Sequence, residues 1–213
     1  IHALGQDYRR SYNALLSHRA GPPALTIAPD YSGWEGWNIR ANWPFFARLR
    51  QRYTPIGRND QHVLWMPAGA IRTASPIDCT LTPLSKSSLA VRVTGARDGI
   101  ATVQIRRDAM FAAGDYTPPR NQLLTVSEDS PFTRTASGEP WGGFPRYGVG
   151  NTHVVIIPAP LAAGETTVLT LDVMDGSAIG EATCRAFLEP DFDTANLPSI
   201  AEGIERYLAR PAS

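Results

Sequence analysis

Residues 89–105 read LAVRVTGARDGIATVQI, and this stretch decides the fold prediction. Every second residue in Leu89–Val93 is apolar, and the same alternation returns in Ala101–Ile105. A period of two is typical of a half-buried β-strand, because successive side chains point to opposite faces of a sheet. The Arg-Asp-Gly sequence at 97–99 is a hairpin signal. The stretch therefore predicts two antiparallel strands joined by a hairpin.

Further strands are predicted on both sides of this stretch, separated by glycine, proline and aspartate residues that favour turns. The candidates are Ile77–Thr82, Gln122–Ser127, His153–Ile157, Thr167–Val173 and Ile179–Leu188. Asp175-Gly176 supplies a turn between the last two. About seven short strands with turn signals between them predict an antiparallel, jelly-roll-like β-sandwich over residues 76–198.

The first 75 residues have a mixed pattern. Apolar residues spaced by three and four predict a helix within Leu4–Leu16, and a short strand follows at Ala24–Ala28. Asn42 is a good N-cap for a second helix, which is expected to end around Pro55 and Gly57. A second strand is predicted at His62–Met66. The expected buried face of the second helix carries Phe45, Phe46, Leu49 and Tyr53.

The end of the chain reads as one more helix, at Ser199–Leu208. The apolar residues expected to dock this helix on the body are Ile200, Ile204, Tyr207 and Leu208. The predicted fold is thus α+β, with a small N-terminal α/β layer (1–75) packed on an antiparallel β-sandwich (76–198) and a C-terminal helix (199–213) docking back.

The two cysteines, Cys79 and Cys184, fall in the first and last predicted strands of the sandwich. They are too few for a structural zinc site, which usually takes four Cys or His ligands. A disulfide is expected, with two buried free thiols as the alternative. A disulfide would place the chain in an oxidising compartment.

Composition excludes several kinds of partner. The formal net charge is zero, so no general attraction to nucleic acid or anionic lipid is expected. No stretch approaches the roughly 20 apolar residues of a membrane helix. The sequence opens at Ile1 without a signal peptide, which favours a processed protein or an excised piece whose membrane-embedded part is missing.

No cofactor is expected; a structural calcium held by carboxylates such as Asp172 and Asp175 is a weaker alternative.

No catalytic motif is recognised in the sequence. The GxSxG pattern of serine hydrolases is absent, and Ser32 lacks the first glycine. Phosphate-binding glycine motifs are also absent. Paired carboxylates could serve glycoside hydrolysis, with solvated loop carboxylates as the alternative interpretation. The candidates are Asp30 with Glu35, and Glu128, Asp129 and Glu139.

Aromatic residues in glycine-rich loops are the strongest functional signal. Sugar rings stack their C–H faces on indole and phenol rings, while charged neighbours hydrogen-bond the hydroxyl groups. The alternative is that these rings pack in the interior or at a junction. Long loops are also expected at 107–121 and 128–152. The predicted ligand-binding residues are Trp34, Glu35, Trp37, Trp141, Phe144, Arg146 and Tyr147.

The stretch WPFFARLRQRYTPIGR at 43–58, followed by HVLWM at 62–66, resembles the extracytoplasmic tail of polytopic glycosyltransferases of the GT-C type, which use lipid-linked sugars. The preceding TIAPDY at 26–31 fits the same pattern. The resemblance covers residues 24–66 and includes no catalytic residue, because the family's catalytic carboxylate is expected in loops between membrane helices. Some arabinose-transferring relatives carry carbohydrate-binding β-sandwiches where this chain has its own.

The resemblance and the aromatic loops together predict a non-catalytic domain at the periplasmic or extracellular face of a membrane. Such a domain would bind a glycan or glycosylated acceptor for a glycosyltransferase that builds cell wall, builds surface polysaccharide or glycosylates protein. Two alternatives stay open. One is a secreted hydrolase acting on a saccharide or an ester, and the other is a protein–protein assembly module.

Overall fold

The structure, a computed structural model, describes residues 24–27, 39–107, 124–129, 146–150, 154–173 and 176–209. The chain divides into two compact units. The first consists of Ile1–Ala74 and Pro190–Ser213, and the second is Ser75–Glu189. Residues 190–198, which the sequence prediction placed in the sandwich, therefore belong to the first unit. The predicted helix within Leu4–Leu16 lies outside the described residues.

Within the described ranges there are two helices and twelve strands whose bounds can be given. In chain order they are β1 (Leu25–Ile27), α1 (Trp43–Arg52), β2 (Tyr53–Arg58), β3 (Val63–Pro67), β4 (Ser75–Ile77), β5 (Cys79–Ser85), β6 (Ser88–Thr94), β7 (Gly99–Arg107), β8 (Leu124–Asp129), β9 (Arg146–Gly150), β10 (Val154–Leu161), β11 (Thr166–Val173), β12 (Ala182–Leu188) and α2 (Ile200–Leu208). No helix in these ranges is both long enough and apolar enough to cross a membrane.

The second unit consists of two antiparallel sheets, as the α+β sandwich prediction required. One sheet has four strands in the order β10-β7-β12-β4, and the other has five in the order β5-β6-β11-β8-β9. The alternating pattern of the sequence supplies the core. On β11, Thr167, Leu169, Leu171 and Val173 are buried, and the residues between them are less so. Apolar residues of β6, β7, β8, β10 and β12 are buried as well.

The hairpin expected at Arg97–Gly99 is wrong. β6 pairs with β5 and β11 in the five-stranded sheet, whereas β7 pairs with β10 and β12 in the other sheet. The turn therefore carries the chain from one sheet to the other. The turn contacts the connection between β10 and β11, where the Asp98 carboxylate accepts a hydrogen bond from the Ala163 main-chain N–H at 2.8 Å. Gly95 forms a bridge to the same residue.

Two other strand assignments need correction. The strand predicted at Ile77–Thr82 is split at Asp78, since β4 belongs to the four-stranded sheet and β5 to the five-stranded sheet. The loop predicted at 128–152 contains β9, which pairs with β8 across a register shift. Propensity could not reveal either feature, because both depend on which neighbouring strand is available for pairing.

The first unit contains the sheet β1-β3-β2 together with both helices. α1 begins after Asn42, as expected, although the Asn42 side chain makes no capping hydrogen bond, and Pro44 lies in its first turn. Residues 53–58 are not a helix end, however, but a strand paired with β3 across a bulge between Pro55 and Gly57. Leu49, Tyr53, Val63 and Trp65 form the core of this unit. Phe45, Phe46, Phe192 and Leu197 pack against it.

α2 begins with a capping box, in which Ser199 and Glu202 satisfy each other's main-chain N–H groups. The face that contacts β2 agrees with the prediction only in part, since Ile200 and Tyr207 are half-buried there. Gly203 is the buried residue of the helix, while Ile204 and Leu208 are 40% and 75% exposed. The helix approaches β2 so closely that only glycine fits at the contact. The predicted docking residues are therefore right for Ile200 and Tyr207 and wrong for Ile204 and Leu208.

Candidate functional site

The residues predicted to bind ligand are only partly described. Trp34, Glu35 and Trp37 lie outside the described residues, and so do Trp141 and Phe144. Arg146 and Tyr147 belong to β9, where they stand opposite Ser127 and Val126 of β8 in the strand register. Their assignment as a carbohydrate site stays a prediction.

The predicted disulfide between Cys79 and Cys184 is confirmed. It joins β5 in one sheet to β12 in the other, with a Cα–Cα distance of 6.2 Å, and so links the two layers of the sandwich. The bridged residues are 105 positions apart. Closing a loop of this length restricts the unfolded chain and contributes about 4.7 kcal/mol in the chain-entropy model. The disulfide indicates an oxidising, extracytoplasmic environment.

A cleft lies beside this disulfide within the second unit. It encloses about 710 Å³, which falls in the range of ligand-binding pockets. Its walls come from β5, β6, the end of β7 and the residues that lead into β12. The lining residues are Leu81, Pro83, Leu89, Arg106, Gly180, Glu181, Ala182 and Thr183.

The path of the chain between β4 and β5 explains why the sandwich is open here. β4 ends at Ile77, opposite Ala186 of β12, and the chain then crosses to the other sheet through Asp78. The disulfide at Cys79 fixes the start of β5 against β12. Beyond the disulfide, Leu81 is only half-buried and Pro83 is exposed, although both stand in register with buried residues of β6. Apolar surface between the sheets is therefore accessible.

The chemistry of the cleft is that of a binding site with mixed walls. Leu81, Pro83 and Leu89 are apolar, whereas Arg106 and Glu181 bring one positive and one negative charge to the rim. Such a surface can take the apolar face of a ligand and hydrogen-bond its polar groups. No sequence motif marks these residues, because they come from four separate stretches that only the tertiary structure brings together.

Of the carboxylates considered for hydrolysis, the structure describes Glu128 and Asp129, and it does not bring these two together. Glu128 is buried and Asp129 is exposed on the same strand, β8. Neighbouring residues of a strand point to opposite faces of the sheet, so these two carboxylates do not converge on one substrate. Asp30, Glu35 and Glu139 lie outside the described residues.

Metal binding has no support in the described part of the chain. No group of three or more His, Cys, Asp or Glu side chains that could hold a metal ion occurs there. Asp172 belongs to β11, while Asp175 is not among the described residues. The calcium alternative therefore stays a prediction.

The fold and the cleft define the chain as an α+β protein with a disulfide-linked β-sandwich. No known protein family, curated protein or solved structure matches it.

Proposed function

We propose that this chain is an extracytoplasmic domain that binds carbohydrate or a glycosylated acceptor for a membrane-bound glycosyltransferase, without catalytic groups of its own. It would hold the acceptor in place while the membrane-embedded part of the enzyme forms the bond. Positioning of this kind lowers the barrier because the two reactants no longer have to meet and align by diffusion.

The observation that carries the proposal is the inter-sheet cleft with its mixed lining. A sugar ring has apolar C–H faces, which fit against Leu81, Pro83 and Leu89. Its hydroxyl groups fit the Arg106 guanidinium and the Glu181 carboxylate, which can donate and accept hydrogen bonds. The resemblance of residues 24–66 to glycosyltransferase tails supports the same role, and the disulfide supports an extracytoplasmic compartment.

The test is a titration of the chain with oligosaccharides derived from cell wall and from surface polysaccharide. Amide NMR shifts would report on the cleft, and indole NMR signals would report on Trp34, Trp37 and Trp141. We expect Arg106→Ala to weaken binding about tenfold, because it removes hydrogen bonds from a charged donor. Arg92→Ala is the matched control, since Arg92 is exposed on β6 and does not line the cleft.

Each outcome has a distinct meaning. Shifts in the cleft that depend on Arg106 support the proposal with the cleft as the site. Shifts confined to the indoles support carbohydrate binding at the aromatic loops and remove the cleft from it. If no oligosaccharide shifts either set of signals, the proposed function is wrong.

A further inference from the structure

The outer surface of the four-stranded sheet, which faces away from the sandwich core, carries a group of polar side chains next to the cleft. On β7, Ala101, Val103 and Ile105 are fully buried in the core. Successive residues of a strand point to opposite surfaces of the sheet. Gln104 and Arg106 therefore lie on the outer surface.

β12 brings two more polar residues to the same surface. In the antiparallel register, Gln104 stands opposite Arg185, and Arg106 stands opposite Thr183. Residues opposite each other share a surface of the sheet, so these four side chains form one group, here called the arginine cluster. Its two arginines are diagonal neighbours, which places them about 7–8 Å apart. Arg106, Thr183 and Arg185 are exposed, and Gln104 is half-buried.

The arginine cluster combines two positive charges with several hydrogen-bond donors. A guanidinium group carries five N–H donors and no acceptor, and the side chains of Gln104 and Thr183 can also donate. Neither guanidinium makes an ion pair or a hydrogen bond within the described part of the chain. Like charges on neighbouring strands repel each other, and an anion bound between them would remove that cost. The cluster therefore favours a negatively charged ligand.

Two carboxylates near the cluster limit the kind of anion it suits. Glu181 precedes β12 and lines the cleft, and Asp78 follows β4 where the chain crosses to the other sheet. Both are exposed, and neither forms an ion pair with Arg106 or Arg185. Their charges offset the positive field at a distance, so long-range attraction to an anionic membrane is weak. A single anionic group in direct contact with the guanidinium groups fits better.

The arginine cluster is continuous with the cleft. Arg106 and Thr183 belong to the cluster and also line the cleft. Between Thr183 and Arg185, Cys184 stands opposite the buried Ile105 and is bonded to Cys79, which fixes β12 at this point. A saccharide whose ring lies in the cleft would therefore have the two guanidinium groups within reach of its substituents.

We propose that the arginine cluster is an anion subsite of the cleft, in which Arg106 and Arg185 bind the carboxylate or phosphate group of an acidic saccharide. This inference rests on the proposed function and narrows its ligand from saccharides in general to acidic ones. A guanidinium group matches both anions, because two of its parallel N–H groups can reach two oxygens at once. Arg106 has enough donors to hold a ring hydroxyl and to share the anion with Arg185.

The probes are glucose, glucuronic acid and glucose 6-phosphate, which share one sugar ring and differ in charge. Amide NMR titration of the disulfide-bonded chain measures the affinity for each probe and locates the contact. We expect at least one of the two acidic sugars to bind about fivefold more tightly than glucose, as suits an exposed charge interaction. Its shifts should include the amides of residues 104–106 and 183–185.

Arg185→Gln tests the subsite separately from the cleft, because Arg185 does not line the cleft. We expect this variant to bind the acidic sugar about fivefold more weakly and to bind glucose within about twofold of the unchanged chain. Arg92→Gln is the matched control, since Arg92 is exposed on β6 in the other sheet and its replacement removes the same charge. Thermal melts of both variants check that they fold.

Several results would overturn the inference. These are equal binding of glucose and both acidic sugars, shifts that avoid residues 104–106 and 183–185, or equal effects of the two glutamine variants. Inorganic phosphate that binds the cluster as tightly as glucose 6-phosphate would assign it to a free anion. Binding to vesicles of anionic lipid that depends on Arg185 would assign it to a membrane surface. The oligosaccharide titration is read separately, so cleft binding of neutral oligosaccharides without a preference for acidic sugars would leave the proposed function standing.

Discussion

Replacing Gly203 by alanine tests how α2 docks on β2, since two opposing effects decide the sign. Inside a helix, alanine is more favourable than glycine by about 1 kcal/mol. Against this, a Cβ atom at position 203 would meet the Ile56 carbonyl oxygen, and it would lie 2.7 Å from the carbonyl carbon and 3.1 Å from the Gly57 Cα. These are main-chain atoms, so no side-chain rotation relieves the contact.

The helix must therefore shift away from the strand. Overpacking of this kind costs about 1–3 kcal/mol, which exceeds the gain in helix propensity over most of that range. The shift would also strain the approach of Gly57, whose own Cβ position lies 2.8 Å from the Ser199 carbonyl oxygen and the Ile200 Cα. We expect Gly203→Ala to lower the free energy of unfolding of the first unit by up to about 2 kcal/mol.

The assay is urea unfolding followed by tryptophan fluorescence, with hydrogen exchange of residues 200–208 as a local measurement. Glu205→Ala and Glu205→Gly are the controls, because Glu205 is exposed on the same helix and their difference gives the propensity effect without a clash. If Gly203→Ala instead raises stability by as much as that difference, the close contact with β2 does not exist and the reasoning is refuted.

Three further predictions follow from single contacts. Cys79→Ala with Cys184→Ala should lower the unfolding free energy of the second unit by about 4–5 kcal/mol in a non-reducing denaturant titration, and a loss below about 1 kcal/mol would contradict this. Tyr53→Phe should stabilise by about 1 kcal/mol in thermal melts, because the buried Tyr53 hydroxyl has no hydrogen-bond partner among the described residues; destabilisation would reveal a partner. The hydrogen bond from the Asn196 side chain, together with main-chain N–H groups, lowers the pKa of Asp193, so NMR titration of Asn196→Ala should show that pKa rising towards its ordinary value. The pKa of Asp193 is lower in the folded state than in the unfolded state. The stability that Asp193 contributes is therefore present above its unfolded pKa and is lost as the pH falls through its folded pKa. An unchanged Asp193 pKa in Asn196→Ala would contradict the role given to the Asn196 side chain.

Local pattern was enough to predict most of the strands. The alternation in β6, β7 and β11 follows from the period of two, and it holds whichever strand lies alongside. The start of α1 after Asn42 follows from the chemistry of the first helical turn. With only two cysteines in the sequence, a disulfide could only join Cys79 to Cys184, but the choice between a disulfide and two free thiols needed the structure.

The cleft could not be predicted from the sequence. Leu81 and Glu181 are a hundred positions apart and carry no shared motif, so nothing local marks them as neighbours. The segments with clustered aromatic residues were predicted to bind ligand because their composition is unusual. Leu81 and Ala182, in contrast, have the composition of ordinary strand residues. Leu81 and Ala182 line the cleft because β4 ends at Ile77 and the chain crosses there to the other sheet.

The sequence by itself determined most of the strands and the helices α1 and α2, because those choices depend on side chains a few positions apart, but it did not reveal β2 and β9. Only the tertiary structure decided which sheet each strand joins, as the crossings at Asp78 and Arg97–Gly99 show. It also decided that α2 docks through Gly203 and not through Ile204 and Leu208. The physical reason is that strand partners and close main-chain contacts are set by competition among surfaces distant in the chain, and no short stretch of sequence contains both sides of that competition.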